Sequence, residues 1–225
     1  MEIHKPKAGH GVRGFLKEYL IIVVGVLTAL TAEQCVEWLH WRHEVVEGRD
    51  HLRAEISFNE KVYAHRADVA ACVQRNLAVL AVLIEGLDAN TNRVFSVPRF
   101  VSPQNGPINH EIWNSLSAAQ VLVHFPKDEL VKFSQFYQLR EDAEYFMDRE
   151  SRAWRQLHLL EGDPRRLSRQ DITSLRVALG DAEEMSRGVA TLSRDQLSVA
   201  RELGLALPKP DASWRPECKA IIASF

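Results

Sequence analysis

Cysteine is scarce, with three in 225 residues. An odd, low count excludes a scaffold built on disulfides. Glycine (11) and proline (9) are too few, and β-branched runs too short, for the closely spaced turns of a β-sandwich or barrel. No basic excess exists: 28 Lys and Arg face 30 Asp and Glu, a formal net charge of −2. The electrostatic footprint of a nucleic-acid-binding protein is therefore missing. Also absent are an H-E-x-x-H zinc signature, a nucleophile elbow, a Gly-rich phosphate loop and a cysteine pair at metal-ligand spacing. Serines, histidines and aspartates occur, but no local spacing sets a triad apart from chance. What remains is ordinary globular composition, 46% hydrophobic and 26% charged, which supplies a sizeable core and argues against disorder throughout.

One uncharged apolar run stands out, residues 19–32 (YLIIVVGVLTALTA). As a helix these residues cover about 21 Å, against the roughly 30 Å of a bilayer core. Length alone thus leaves a transmembrane helix, a peripheral amphipathic helix and a helix buried in soluble protein all open. The flanks favour the first. A register from 15 to 34 reaches the required length, with Lys17 and Glu18 near one boundary and Glu33 near the other. Lys17 can snorkel, and Tyr19, Trp38 and Trp41 fall close to the headgroup belts that favour amphipathic rings. Thr28, Ala29, Thr31 and Ala32 resemble a signal-peptidase site, but they merge into a helical pattern that runs on, which fits an uncleaved signal anchor better. Lys5, Lys7, Arg13 and Lys17 precede the run against Glu2 and Glu18, and Glu33, Glu37, Arg42 and Glu44 follow it. The positive-inside rule then puts the N-terminus in the cytoplasm. The expected organisation is a flexible cytoplasmic tail (1–14), a transmembrane helix with interfacial flanks (15–41), an extracytoplasmic helical bundle (42–204) and an extended C-terminal tail (205–225). The expected location is a bacterial inner membrane with the larger domain in the periplasm. So short a tail is no folded output domain, so a sensed signal would pass to another protein.

Beyond the run, Val45, Leu52, Ile56, Val62, Tyr63, Val69, Val73, Leu77, Leu80, Ile84 and Leu87 recur mostly at spacings of three, four or seven, the pattern of a helix with one buried stripe. No proline interrupts it, so it is expected to continue the span as one helix from about 14 to 87. Residues 88–110 read as a loop, with an extended piece at 94–101 that Pro98 confines to an edge. A short helix carries Ile112, Trp113 and Leu116. Pro126 opens a long helix to about 160, with Asp128 and Glu129 at its positive end. Ser168 and Asp171 form a capping box for the last helix, and Gly204 is placed to end it. Pro208, Pro210 and Pro216 mark an extended tail whose end, residues 220–225 (AIIASF), is apolar enough to dock on the bundle. The fold class expected is all-α: one N-terminal transmembrane helix, then an antiparallel bundle of three long helices and one short one.

Two blocks carry a family resemblance. Residues 17–41 (KEYLIIVVGVLTALTAEQCVEWLHW) contribute Glu18, Gly25, Ala29-Leu30, Gln34 and Glu37-Trp38. Residues 110–137 contribute Trp113, Ser117 to Ala119, Leu122, Glu129-Leu130 and Phe136-Tyr137. Together they resemble an uncharacterised bacterial family of single-pass, membrane-anchored helical proteins of unknown function. Cys35 and Val36 depart from its pattern, where Asn-like residues are expected. The resemblance implies a membrane anchor with a helical extracytoplasmic domain, and it supplies no substrate, cofactor or catalytic residue.

Several residues are candidate sites. Glu33 and Glu37 lie one helical turn apart with Gln34 beside them, either a contact to a partner helix or solvated headgroup-level residues. Gly25 and Ala29 form a small-xxx-small pair that permits close helix approach. Cys72 and Cys218 are either a bridge pinning the tail to the first helix or two separate thiols, and Cys35 is expected to stay free. His40, His43, Glu44 and Glu47 share a helix face at spacings that suit zinc, but without a fuller ligand pattern they read first as polar residues just above a membrane. His65, His110, His124 and His158 read as packing or surface residues. Trp113, Phe133, Phe136, Tyr137 and Trp154 read as core before they read as a ligand pocket, and Arg165, Arg166 and Arg169 as a solvated loop. No catalytic residue, cofactor or metal is expected. The sequence points to a non-enzymatic anchored protein whose domain serves protein interaction or ligand sensing; the alternative is an accessory subunit packing through its transmembrane helix into a larger membrane complex. Expected partners are membrane lipid and a second copy or another membrane protein, with no nucleic acid.

Overall fold

A computed structural model of the protein describes residues 12–88, 96–209 and 215–221. Helices α1 (Val12–Asp88), α2 (Glu111–Ala118), α3 (Lys127–Leu157) and α4 (Arg169–Glu202) make the fold all-α. Short 3-10 turns at Val121–His124, His158–Leu160, Pro164–Arg166 and Pro216–Cys218 complete it. Among the described residues the one extended pairing is an isolated bridge between Val97 and Gly162. Of the expected extended piece at 94–101, Ser96 and Val97 have bridge pairing, and its first two residues lie outside the described ones. So do residues 1–11 of the expected tail, whose residues 12–14 are already helical. By compactness the chain divides into two units, Met1–Glu47 and Gly48–Phe225.

In the second unit, α1 from Gly48 onward, α3 and α4 bury their apolar stripes together. Leu52, Ile56, Tyr63, Val69, Phe133, Phe136, Leu157 and Leu175 are wholly enclosed. Tyr63 meets Phe136 edge to face with centroids 6.2 Å apart, and Trp154 meets Phe100 at 6.0 Å. Antiparallel packing holds for α3 and α4. Gln196 Nε2 donates to the Phe136 carbonyl (3.0 Å), and Lys132 Nζ to the Glu202 carbonyl (3.3 Å). Helices α1 and α3, by contrast, run parallel. Arg49 binds Glu129 through two N–H groups (2.5 and 2.7 Å), and Arg66 binds Glu150 (2.6 and 2.7 Å), so residue numbers rise together along both helices.

The cause of this departure from an all-antiparallel bundle is the connector between α1 and α3, which takes the return path that a second long helix would have taken. Val97 bridges Gly162, Asn105 donates to the Met147 carbonyl (3.3 Å), Asn109 pairs with Asn59, and the Ile112 amide reaches Glu55 (2.9 Å). Leu116 then packs 3.0 Å from where a Cβ on Gly48 would stand. A connector without a neighbouring strand leaves backbone donors needing partners, and side chains meet the need. Asn59 is the clearest case, with Nδ2 donating to the Asn109 carbonyl (2.7 Å) while Oδ1 accepts from the Asn109 amide (2.8 Å).

Local chemistry sets the helix ends. Ser168 Oγ accepts from the Asp171 amide (3.2 Å), while Asp171 accepts from the Ser168 amide (2.8 Å). Gly204 ends α4 at φ +78°, a left-handed conformation that an L side chain resists. The last described stretch is strapped to α1. Cys72 and Cys218 form a disulfide across 146 residues, Asn76 Nδ2 donates to the carbonyls of Glu217 (2.8 Å) and Lys219 (3.0 Å), and Arg215 pairs with Asp68. Ile221 is buried in the core. The rest of the expected docking segment, 222–225, lies outside the described residues.

Candidate functional site

Along residues 15–30 of α1, Phe15, Leu16, Tyr19, Leu20, Ile21, Ile22, Val24, Val26, Leu27 and Leu30 are each half or more exposed. This is the one helix among the described residues long and apolar enough to cross a membrane, and none of its most apolar window is buried within the chain. Its hydroxyls turn inward on their own helix: Thr28 Oγ1 donates to the Val24 carbonyl and Thr31 Oγ1 to the Leu27 carbonyl, both at 2.7 Å. Without water this is the route by which a polar side chain in an apolar helix finds a partner.

The residues singled out in the sequence fall as follows. A Cβ on Gly25 would meet nothing within 4 Å among the described residues, and Ala29 is exposed. Glu33, Gln34 and Glu37 are exposed. The Trp41 indole donates to Glu37 (3.4 Å), and the Arg42 guanidinium lies 5.2 Å from the Trp38 ring centroid. His43 pairs with Glu47 at 3.7 Å and His40 packs against Trp41. Among the described residues no three His, Cys, Asp or Glu side chains converge to hold a metal ion. Cys35 is a free, exposed thiol. Phe133, Phe136 and Trp154 are core residues, while Trp113 stacks on Tyr137 (4.6 Å). Arg165 is held by Asp163, and Arg166 by the carbonyls of Leu159 and Glu161.

The interior of the second unit carries charge that the apolar periodicity does not disclose. Arg66 and Glu150 are buried together, and the Ser186 hydroxyl donates to the same carboxylate (2.5 Å). The Tyr137 hydroxyl donates to Glu55 (2.5 Å); burial first, then that hydrogen bond and the charge on Glu55, push the phenol up. Glu60 is fully enclosed, neither carboxylate oxygen has a hydrogen-bond partner among the described residues, and burial pushes the group up to about 7. Glu217 takes the opposite course. Burial alone would raise it, but hydrogen bonds from the His65 side chain (3.0 Å) and from the amides of Glu217 itself and Gln104 (the latter 3.0 Å) outweigh burial and hold it below the ordinary carboxylate value. Beside this pair, a shallow cleft of about 290 Å³ is lined by Lys61, Val62, His65, Gln104, Asn105 and Gly106.

A further constellation joins residues that sequence reasoning did not connect. Ser102, on the connector, lies with Oγ 2.7 Å from His158 Nε2. The other ring nitrogen, Nδ1, is 2.7 Å from Glu161 Oε1. Phe100 stacks flat on the imidazole (4.5 Å, 12° between planes), and its amide donates to Glu161 (3.2 Å). Arg99 Nε stands 3.8 Å from the second Glu161 oxygen. With Glu161 accepting from Nδ1–H, Nε2 is left as an acceptor for the serine hydroxyl. His158 caps α3 and Glu161 follows one 3-10 turn later, while the Val97–Gly162 bridge pins the connector beside them. The only local signal was the His158-x-x-Glu161 spacing, since Ser102 is 56 residues away.

Neither a family model nor a curated protein nor a solved structure matches this chain.

Proposed function

We propose that this protein is a single-pass membrane protein whose α1 crosses the bilayer between residues 15 and 34, and whose second unit is a helical domain held outside the cytoplasm for protein contact or for sensing a small ligand. The observation that carries this reading is the all-round exposure of the apolar residues from Phe15 to Leu30 in a chain that elsewhere buries its apolar stripes. Burial in lipid removes that surface from water at about 25 cal/mol per Å². Supporting it, the Thr28 and Thr31 hydroxyls are satisfied within the helix, and basic residues precede the span. The Cys72–Cys218 disulfide suits an oxidising compartment such as the periplasm. On this reading the chain is a member of the anchored helical family that its two blocks resemble.

A second reading, an accessory subunit of a larger membrane complex, is favoured by Glu33 and Gln34, which are exposed at the end of the span. Copurification of another membrane protein through the span would support it.

The test is a topology reporter fused at the C-terminus of the full chain in a bacterial host. Alkaline phosphatase is expected to be active there and a fluorescent protein that folds only in the cytoplasm to be dark. The reverse pattern would overturn the orientation.

A further inference from the structure

We propose that Ser102 is an activated nucleophile and that Ser102, His158 and Glu161 constitute an acyl-transfer site on the second unit, an activity beyond the anchoring and contact roles above and independent of them.

The geometry is that of a nucleophile, a base and a group that orients the base. Ser102 Oγ to His158 Nε2 and His158 Nδ1 to Glu161 Oε1 are both 2.7 Å, within the reach that general-base activation requires. The two bonds use opposite ring nitrogens, so a single tautomer serves both. The imidazole is further fixed by the Phe100 ring stacked on it, and Glu161 by the Phe100 amide. Ser102 and His158 are both partly exposed. A purely structural tie between connector and α3 would be served by the Val97–Gly162 bridge and the Asn105 bonds to Met147 and Ser151 already present.

In the first step Ser102 Oγ adds to the carbonyl carbon of an acyl ester while its proton passes to His158 Nε2. The bond from that carbon to the alkoxide oxygen then breaks, and His158 returns the proton to the departing alcohol. Water attacks the acyl-serine, gives its proton to His158, and the carboxylic acid leaves as Ser102 regains its hydrogen. Glu161 is a positioning residue that holds the ring and steadies the imidazolium formed in each step. Residue 103 is proline, which has no N–H to offer the oxyanion. Turnover is therefore expected to be slow, and covalent capture at Ser102 is the diagnostic readout.

The probe is a fluorophosphonate. Ser102 Oγ forms the bond to phosphorus, fluoride leaves, and the serine proton goes to His158. Full-length protein in detergent micelles is treated with it, and the modified residue is found by peptide mass spectrometry. Label is expected on Ser102 and absent in Ser102→Ala. His158→Gln is expected to slow labelling by about 100-fold or more, the range of a general base, and Glu161→Gln to slow it at an unchanged melting temperature, a loss that a structural role would not produce. Should His158→Gln fail to fold, Glu161→Gln, nearly identical in shape, carries the test. No label on Ser102, or labelling as fast in Glu161→Gln as in wild type, overturns the proposal and leaves the three residues as a tie between connector and α3.

Discussion

Helix α1 passes through two regions that treat apolar side chains by opposite rules. Between Phe15 and Leu30 nearly every position is apolar, and the side chains point outward on all sides of the helix without cover. From Leu52 to Ile84 most large apolar residues share one stripe that α3, α4 and the connector seal, while Phe58, Val79 and Val82 stay exposed outside it. A helix apolar all round needs an apolar surrounding; a helix apolar on one face needs only a partner. One helix thus carries two patterns, and the change falls near Gly48, where the chain divides into its two compact units. Polar groups follow the division too. In the first region hydroxyls fold back on their own helix, while in the second the buried charges of Arg66 and Glu150 are matched across helices.

The sharpest way to break the second region is to orphan one of those charges. Arg66→Ala leaves the Glu150 carboxylate buried beside Ser186 alone, and a loss of about 3–5 kcal/mol is expected. Replacing both Arg66 and Glu150 by Met should cost less than the single change, since no uncompensated charge remains. Chemical denaturation in detergent, followed by tryptophan fluorescence, measures both.

Next in size is the pH dependence of Glu60. Its folded-state value, about 7, stands above the ordinary 4.5, so the folded protein holds this proton more tightly than the unfolded chain does. Its contribution is therefore fully present below about pH 4.5, declines as pH rises, and is lost above about pH 7, a span of about 3 kcal/mol at 1.36 kcal/mol per unit. The difference in unfolding free energy between wild type and Glu60→Gln should follow that slope, and a difference independent of pH between 4.5 and 8 would remove Glu60 from the account.

Smaller effects separate glycines that look alike in sequence. A Cβ at Gly188 would clash with the Phe146 ring, whereas one at Gly180 would touch nothing within 4 Å, and both lie in α4. Gly188→Ala is expected to destabilise by about 1–3 kcal/mol through overpacking, and Gly180→Ala to stabilise by about 0.5–1 kcal/mol through helix propensity. Thermal unfolding monitored by circular dichroism distinguishes them. In the first region, Gly25→Leu should leave unfolding of the second unit within about 0.5 kcal/mol of wild type.

The helices, their stripes and the Ser168–Asp171 cap were legible because each is a local pattern read over a few residues. Helix direction was not. It depends on Asn59 meeting Asn109 and Glu55 meeting the Ile112 amide, contacts across about 50 residues that no periodicity records. The buried charges were missed for a related reason: Arg66 interrupts the apolar stripe between Tyr63 and Val69, and Glu150 the stripe between Met147 and Trp154, and the partner of each is set only when the helices pack. Ser102 and His158 needed the connector's path before they could be seen as neighbours. Cys72 and Cys218 were the reverse case: the pair was readable as a candidate from their scarcity, but the bond depends on the strap formed by Asn76, Arg215 and Glu217.

The central claim, that α1 between residues 15 and 34 lies within lipid, is tested most directly by fractionating detergent-free lysates of cells making the full chain and washing the membrane pellet with alkaline carbonate. The protein is expected to stay in the pellet through the wash and to leave it only with detergent. Release into the supernatant, before or during the wash, would contradict the claim.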